Sequence, residues 1–368
     1  MAFQIKGDIL GPWKILFIHN ERIGLEAYLV IDNVACGPSI GGVRMTEDVT
    51  IQEIARLARA MTLKNAAAGL PHGGGKAGIL ADPKMPQKKK EDLLRSFARA
   101  IRELTDYIPG PDMGTDETCM AWIRDEIGRA VGLPKVLGGI PLDTVGATGY
   151  GLAISAEVCH DLLRTPLKGA RVAIQGFGAV GTHAARFLQQ RGAILVAVAD
   201  SHGAIESTKG LPVDALIALK NQKHSIVDFK NGSTSRIDLG QFASVDCDIL
   251  IPAAGPDFIN GKNARSVKAK LILQGANLPV TSEAEKILFQ RKIVSIPDFI
   301  ANAGGVICAA VEFRGGSQAQ AFDMIGEKIR ENTKAVIELS RKTGTMYRQA
   351  AEDLATRRVL EAEAYRLP

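Results

Sequence analysis

A short apolar run, Arg171 to Gln175, is followed at once by Gly-Phe-Gly-Ala-Val-Gly and a helical stretch, and this restricts the fold more than any other feature of the chain. Glycines at 176, 178 and 181 have the spacing of a strand-to-helix turn built to receive the pyrophosphate of a dinucleotide. Gly176 permits the tight turn, Gly178 lets the backbone come close to phosphate, and Gly181 allows the helix to press on the strand. Ala179 and Val180 then present free amides at the helix amino terminus, where the dipole favours an anion. A second apolar run, Ile194 to Ala199, ends on Asp200, near the spacing expected for a carboxylate that accepts from the adenosine ribose, with Ser201 next to it.

The segments around this unit extend it to a parallel sheet. Asp248 to Ile251, Lys270 to Gln274 and Lys292 to Ile296 read as further strands, and Ser282 with Glu285 opens another helix. The expectation is an α/β protein with a Rossmann-type, doubly wound dinucleotide-binding domain over residues 141–317. Residues 1–140 read as a mixed α/β domain. Ala27 to Asp32 is β-rich, Thr50 and Glu53 form a capping box before Ile54, Leu57, Ala58 and Met61, and a second helix is expected over Glu91 to Leu104. The charged amphipathic helices of 318–368 are expected to return to the first domain.

With 368 residues and 46% hydrophobic content, the chain can bury two cores. A net charge of +5 is mild, and the basic run Lys88-Lys89-Lys90 has no interleaved aromatic residue for base stacking, so nucleic-acid binding is not expected. Five scattered cysteines without CxxC spacing read as reduced thiols, and no apolar stretch has the length of a membrane span. The amino terminus lacks the apolar core of a signal peptide, so a cytoplasmic location is expected. The histidines never fall at HxxxH spacing, and no metal site is expected.

Four further segments carry a more specific signal: GPSIGGVRM (37–45), MTLKNAAAGLPHGGGKAGI (61–79), GPDMGTDE (110–117) and ANAGGV (301–306). Together with the glycine-rich turn they resemble the glutamate/leucine/phenylalanine/valine dehydrogenase family over nearly the whole chain. The resemblance implies that Lys64 holds the substrate carboxylate and that Lys76 is the catalytic lysine, its amine neutral enough to activate the attacking water. Burial and a neighbouring cation, for which Lys64 is a candidate, would depress its pKa. It further implies that Asp112 shuttles protons, that Thr148 and Asn302 lie near the nicotinamide, and that Asn277 lies near its ribose, with the cleft between domains as the site.

The departures from the glutamate pattern concern the substrate side chain. Glutamate enzymes of the family carry a lysine where this chain has Ile40 and a serine where it has Ala309; the leucine and phenylalanine branches resemble it in being apolar at position 40. Gly110, Val306 and Ala309 would complete an apolar pocket. The expected activity is therefore reversible NAD-dependent deamination of an apolar L-amino acid to the 2-oxo acid and ammonium, with NADP possible. Asp200 favours NAD, because Ser201-His202-Gly203 offers no lysine or arginine to a 2′-phosphate. A glutamate dehydrogenase with an atypical carboxylate site and a non-catalytic nucleotide sensor are the alternatives. A homo-oligomer is expected by analogy with the family.

Overall fold

The computed structural model describes residues 5–163 and 165–366. The chain divides into two units, Met1–Leu142 with Val306–Ala321 and Glu352–Pro368, and Asp143–Gly305 with Phe322–Ala351.

Among the described residues the first unit has a five-stranded sheet built from β1 (Lys14–Asn20), β2 (Leu25–Asn33), β3 (Ser39–Thr46), β4 (Gly74–Leu80) and β5 (Tyr107–Pro111), in the order β1-β2-β4-β3-β5. β2 runs antiparallel to β4, whereas β3 is parallel to both β4 and β5. Alternation along β2 sends Leu29 and Ile31 to one face and Val30 to the other. The first face is covered by α2 (Gln87–Ala100) and α3 (Glu117–Ile127) through Leu94, Phe97, Met120 and Ile123. The second is covered by α1 (Ile51–Ala67) through Ile54 and Ala58. Each of the larger side chains, Leu, Ile, Val, Phe or Met, contributes about 1.5–3 kcal/mol on burial.

Thr50 caps α1 as expected, its hydroxyl accepting from the Glu53 amide at 3.2 Å. The Glu53 carboxylate is engaged by Arg44, which gives this acid a role beyond the helix end. α2 begins at Gln87, four residues ahead of the expected start, so the basic run lies in its first turn, where Lys88 pairs with Asp92 at 3.0 Å.

The second unit opens with α4 (Leu142–Val145) and α5 (Ala147–Leu163). Its sheet comprises β6 (Arg171–Gln175), β7 (Ile194–Asp200), β8 (Gly203–Glu206), β9 (Ser235–Ile237), β10 (Ile249–Pro252), β11 (Leu271–Leu273) and β12 (Val294–Ile296), ordered β12-β11-β10-β6-β7-β8-β9. The five strands from β12 to β7 are parallel, each within two residues of its expected position. β8 (four residues) and β9 (three residues) are antiparallel additions absent from the expected strands. α6 (Ala179–Gln190), α7 (Val213–Asn221), α8 (Ser282–Gln290) and α9 (Asp298–Ala301) complete the wound layers. The strand order reverses between β6 and β10, the point at which open α/β sheets bind ligands.

α10 (Gly304–Phe313), α11 (Gln318–Thr343) and α12 (Tyr347–Glu363) do not return as one block, so the boundaries differ from those expected at 140 and 317. Phe322 packs on Tyr150 and Phe187, and Arg348 donates to Gln274 and Asp298 at 2.8 Å each, which ties 322–351 to the second unit. Arg358 donates to the Ala66 and Ala67 carbonyls and Glu363 accepts from Asn33, which ties the last segment to the first. Among the described residues no helix is long and apolar enough to cross a membrane.

Candidate active site

Positions 40, 42 and 44 share one face of β3, because side chains alternate along a strand. Across the parallel pairing with β5, Ile40 lies beside Ile108 and Gly42 beside Gly110. The result is an apolar wall, then a floor without side chains, then a cation at Arg44. A Cβ on residue 42 would stand 2.7 Å from the Asp112 Cβ and 3.2 Å from Lys76 Nζ, so glycine there keeps the space over these two groups open.

Lys76 lies on β4, the central strand, and is 7% exposed. Its ammonium is 3.0 Å from Asp112 Oδ2, and Arg44 Nε donates to that same oxygen at 2.9 Å. Arg44 also reaches Glu53. Asp112 sits just past β5, where its amide donates to Thr115 Oγ1 at 3.0 Å and the Thr115 hydroxyl donates to the Val43 carbonyl at 2.8 Å. Burial, reinforced by the Arg44 charge, holds the Lys76 amine below the ordinary lysine range despite the opposing pull of Asp112. Burial pushes the Asp112 carboxyl upward, but Lys76 and Arg44 outweigh it and the group stays below the usual carboxylate range. Arg44 is therefore a cation that adds to the depression of Lys76.

Lys64 occupies the last turn of α1 and is half-buried. A Cβ on residue 74 would fall 2.0 Å from the Thr62 amide, so this glycine lets α1 press on the start of β4. The last turn of α1, with Lys64, is thereby held against the strand that carries Lys76.

Ile40, Ile108, Val131 and Ala309 form one buried apolar cluster. A Cβ on Gly110 would meet Val131 at 3.1 Å, which puts position 110 at the edge of the cluster. Val306, one helical turn before Ala309 on α10, is partly exposed and stands outside the four clustered residues. α10 is anchored by Glu312, whose carboxylate accepts from the Leu133 and Ile140 amides at 3.0 and 2.9 Å.

In the second unit, Gly176 turns at φ +98° where a Cβ would strike Ala254, and a Cβ on Gly181 would fall 1.9 Å from the Gly176 carbonyl. Gly178 caps α6 with open space in front of it, and Ala179 and Val180 follow at the helix start. This cradle fits a pyrophosphate. Asn302 Nδ2 donates to Asn277 Oδ1 at 3.1 Å and to the Ala276 carbonyl at 3.2 Å, while its own Oδ1 is buried without a partner. Asn277 and Asn302 are thus in direct contact, and Gly304, two residues past Asn302, packs against the backbone of Ala147 and Thr148.

Asp200, at the end of β7, is held by several neighbours. Its carboxylate accepts from the amides of His202 and Ile226 at 2.9 and 3.0 Å, from Ser225 Oγ at 3.1 Å and from Lys220 Nζ at 3.0 Å. These partners hold its carboxyl below the usual range although burial acts in the opposite direction. The missing cation of the Ser201-His202-Gly203 turn is thus supplied by Lys220 from α7. Sequence reading missed Lys220, Arg44, Glu53 and Glu312. Arg44 alone had a local signal, its place two residues past Gly42 on the same strand face.

Comparison with known proteins agrees with this architecture. The family described as Glutamate/Leucine/Phenylalanine/Valine dehydrogenase matches residues 138–366, and its companion, Glu/Leu/Phe/Val dehydrogenase, dimerisation domain, matches residues 17–129. The NADP-specific glutamate dehydrogenase of Saccharolobus shibatae is 38% identical, with 90% of this chain and 82% of the relative covered. The NAD-specific glutamate dehydrogenase of Staphylococcus aureus is 36% identical, with 92% and 86% covered. Among solved structures, the hetero-hexameric glutamate dehydrogenase from Thermus thermophilus in its Leu bound form superposes with a TM-score of 0.83 at 28% identity, covering 97% of this chain and 91% of that one. L-tryptophan dehydrogenase from Nostoc punctiforme superposes with a TM-score of 0.75 at 26% identity, covering 96% and 97%. Motifs, fold and both domain matches converge, and the chain belongs to the glutamate/leucine/phenylalanine/valine dehydrogenase family of amino-acid dehydrogenases.

Proposed function

We propose that this chain catalyses the reversible oxidative deamination of an L-amino acid to the 2-oxo acid and ammonium, and that Lys76 and Asp112 carry the proton transfers. The observation that supports this most directly is the sharing of Asp112 Oδ2 between Lys76 and Arg44. Arginine stays charged, so Lys76 can release its proton without leaving the buried carboxylate uncompensated. In the deamination direction the neutral Lys76 amine takes a proton from the water that attacks the imino carbon. Asp112 takes up the proton released from the substrate ammonium and hands it back to the nitrogen as the carbon–nitrogen bond breaks. Gly178, Ala179 and Val180 would hold the pyrophosphate of NAD, and Thr148, Asn277 and Asn302 its nicotinamide end. When bound, the nicotinamide supplies the hydride acceptor.

The substrate side chain has two readings. Both relatives above are glutamate dehydrogenases by name, and they favour glutamate over the apolar substrate expected from positions 40 and 309. One observation favours the apolar reading: Ile40 and Ala309 pack in an apolar cluster, where an unpaired carboxylate would lose several kcal/mol. Initial rates of NADH and NADPH oxidation with ammonium and a panel of 2-oxo acids decide between them. Turnover of 2-oxoglutarate above every apolar 2-oxo acid supports glutamate, the reverse order establishes an apolar substrate, and no turnover at all leaves the nucleotide sensor. A homo-oligomer is proposed from the dimerisation domain and is tested by light scattering.

Two further results are expected. Lys64→Ala should raise the KM for the amino acid at least about tenfold with a smaller change in kcat, because it removes a charged partner of the substrate carboxylate. With the ionised Asp200 paired to Lys220, the preference for NADH over NADPH should be blunted to less than about tenfold in kcat/KM, and Lys220→Ala should sharpen it. A wild-type preference far above that would restore Asp200 as the discriminating residue.

A further inference from the structure

Within the first unit, His72 Nε2 and Asn65 Oδ1 are buried without a hydrogen-bond partner, a state that costs about 1–3 kcal/mol for each atom. Asn65 lies beside residue 40 and His72 beside residue 38. Asn65 Nδ2 donates to the Gly73 carbonyl at 2.6 Å and reaches the Ile40 carbonyl at 3.5 Å. His72 Nδ1 is 3.0 Å from the carbonyl of Pro38, two residues before Ile40. The imidazole packs edge-on against Phe313, with centroids 5.9 Å apart. Phe313 stands four residues after Ala309 on α10, hence on the same helix face. The ring thus meets the residue just before β3, the strand of Ile40, and the last residue of α10, the helix of Ala309, and it is itself only 3% exposed.

A carbonyl can only accept, so Nδ1 carries the proton and Nε2 of the neutral ring is a bare lone pair. Burial, aided by the charge of Arg314 just past α10, holds this histidine below its usual range and keeps the ring neutral in the free protein. Of the two orphaned atoms only the imidazole nitrogen can become a donor, by taking up a proton. Asn65 Oδ1 accepts in every state and has nothing to offer an anion.

Resting on the glutamate reading, we propose that His72 is the specificity residue for the substrate's side-chain carboxylate: Nε2 takes a proton from solvent as the carboxylate enters and donates to it. His72 thereby replaces the polar partners that Ile40 and Ala309 do not supply. Arg314 adds favourable potential for the same anion.

The test compares 2-oxoglutarate with 2-oxo-4-methylpentanoate, which differ in the side chain but share the reacting end. Calorimetric titration of the NADH-loaded protein near about pH 8, in two buffers of different ionisation enthalpy, should show about one more proton taken up with 2-oxoglutarate. His72→Leu should erase that difference and lower the ratio of kcat/KM for 2-oxoglutarate over 2-oxo-4-methylpentanoate at least about tenfold. His72→Gln, which donates without titrating, should also erase the proton difference but retain part of the ratio. Equal proton uptake by a wild-type protein that turns over 2-oxoglutarate well, or an unchanged ratio in His72→Leu, overturns the role of His72 and leaves the glutamate reading standing. No 2-oxoglutarate turnover by the wild type overturns that reading and this proposal with it.

Discussion

Lys76→Ala is expected to lower kcat by at least about a thousandfold while leaving NADH affinity nearly unchanged. The lysine is buried on the central strand of the first unit, against Asp112, whereas the glycine-rich turn, Thr148, Asn277 and Asn302 belong to the second unit. In the proposed mechanism, removing the amine deletes the base that activates water but touches none of the groups proposed for the cofactor. The alanine also leaves Asp112 paired with Arg44, so the carboxylate keeps a cation and the fold should tolerate the change. Fluorescence titration with NADH beside steady-state kinetics separates the two effects. Near-normal kcat in a folded variant would remove Lys76 from the chemistry.

Asp112→Asn is expected to cost about a hundredfold or more in kcat and to move the pH profile. Asp112 is the principal influence raising the Lys76 pKa against burial and Arg44. With the carboxylate gone, the amine falls further below the lysine range, so the limb of the kcat profile that reports its deprotonation should shift to lower pH. A purely electrostatic role for Asp112 predicts the same shifted limb with the plateau kcat little changed. Profiles of kcat against pH for the wild type and variant distinguish these outcomes.

Much of the site could be read locally. The strand, the three glycines and the following helix at 171–190 are contiguous, and their spacing reflects backbone sterics that any such turn must satisfy. Lys64, Lys76 and Asp112 were recognisable from short motifs, and the structure brings Lys76 and Asp112 into contact. The side-chain end was legible only as composition. Ile40 and Ala309 are apolar in sequence, but that His72 lies between Pro38 and Phe313 follows from strand pairing and from the return of α10 to the first unit.

By itself, the sequence determined the periodicities, the turns that demand glycine and the identity of the reactive groups, because these depend on neighbours within a few residues. Only the tertiary structure decided which charges meet. Arg44 reaches Asp112 across 68 residues of chain and shares its carboxylate with Lys76, and Lys220 reaches Asp200 across 20 and pairs with the carboxylate on which cofactor choice was expected to turn. Such pairings depend on strand register and helix packing. Electrostatic energies also depend on burial and separation at once, so a carboxylate's role stays open until its partners and its access to water are known.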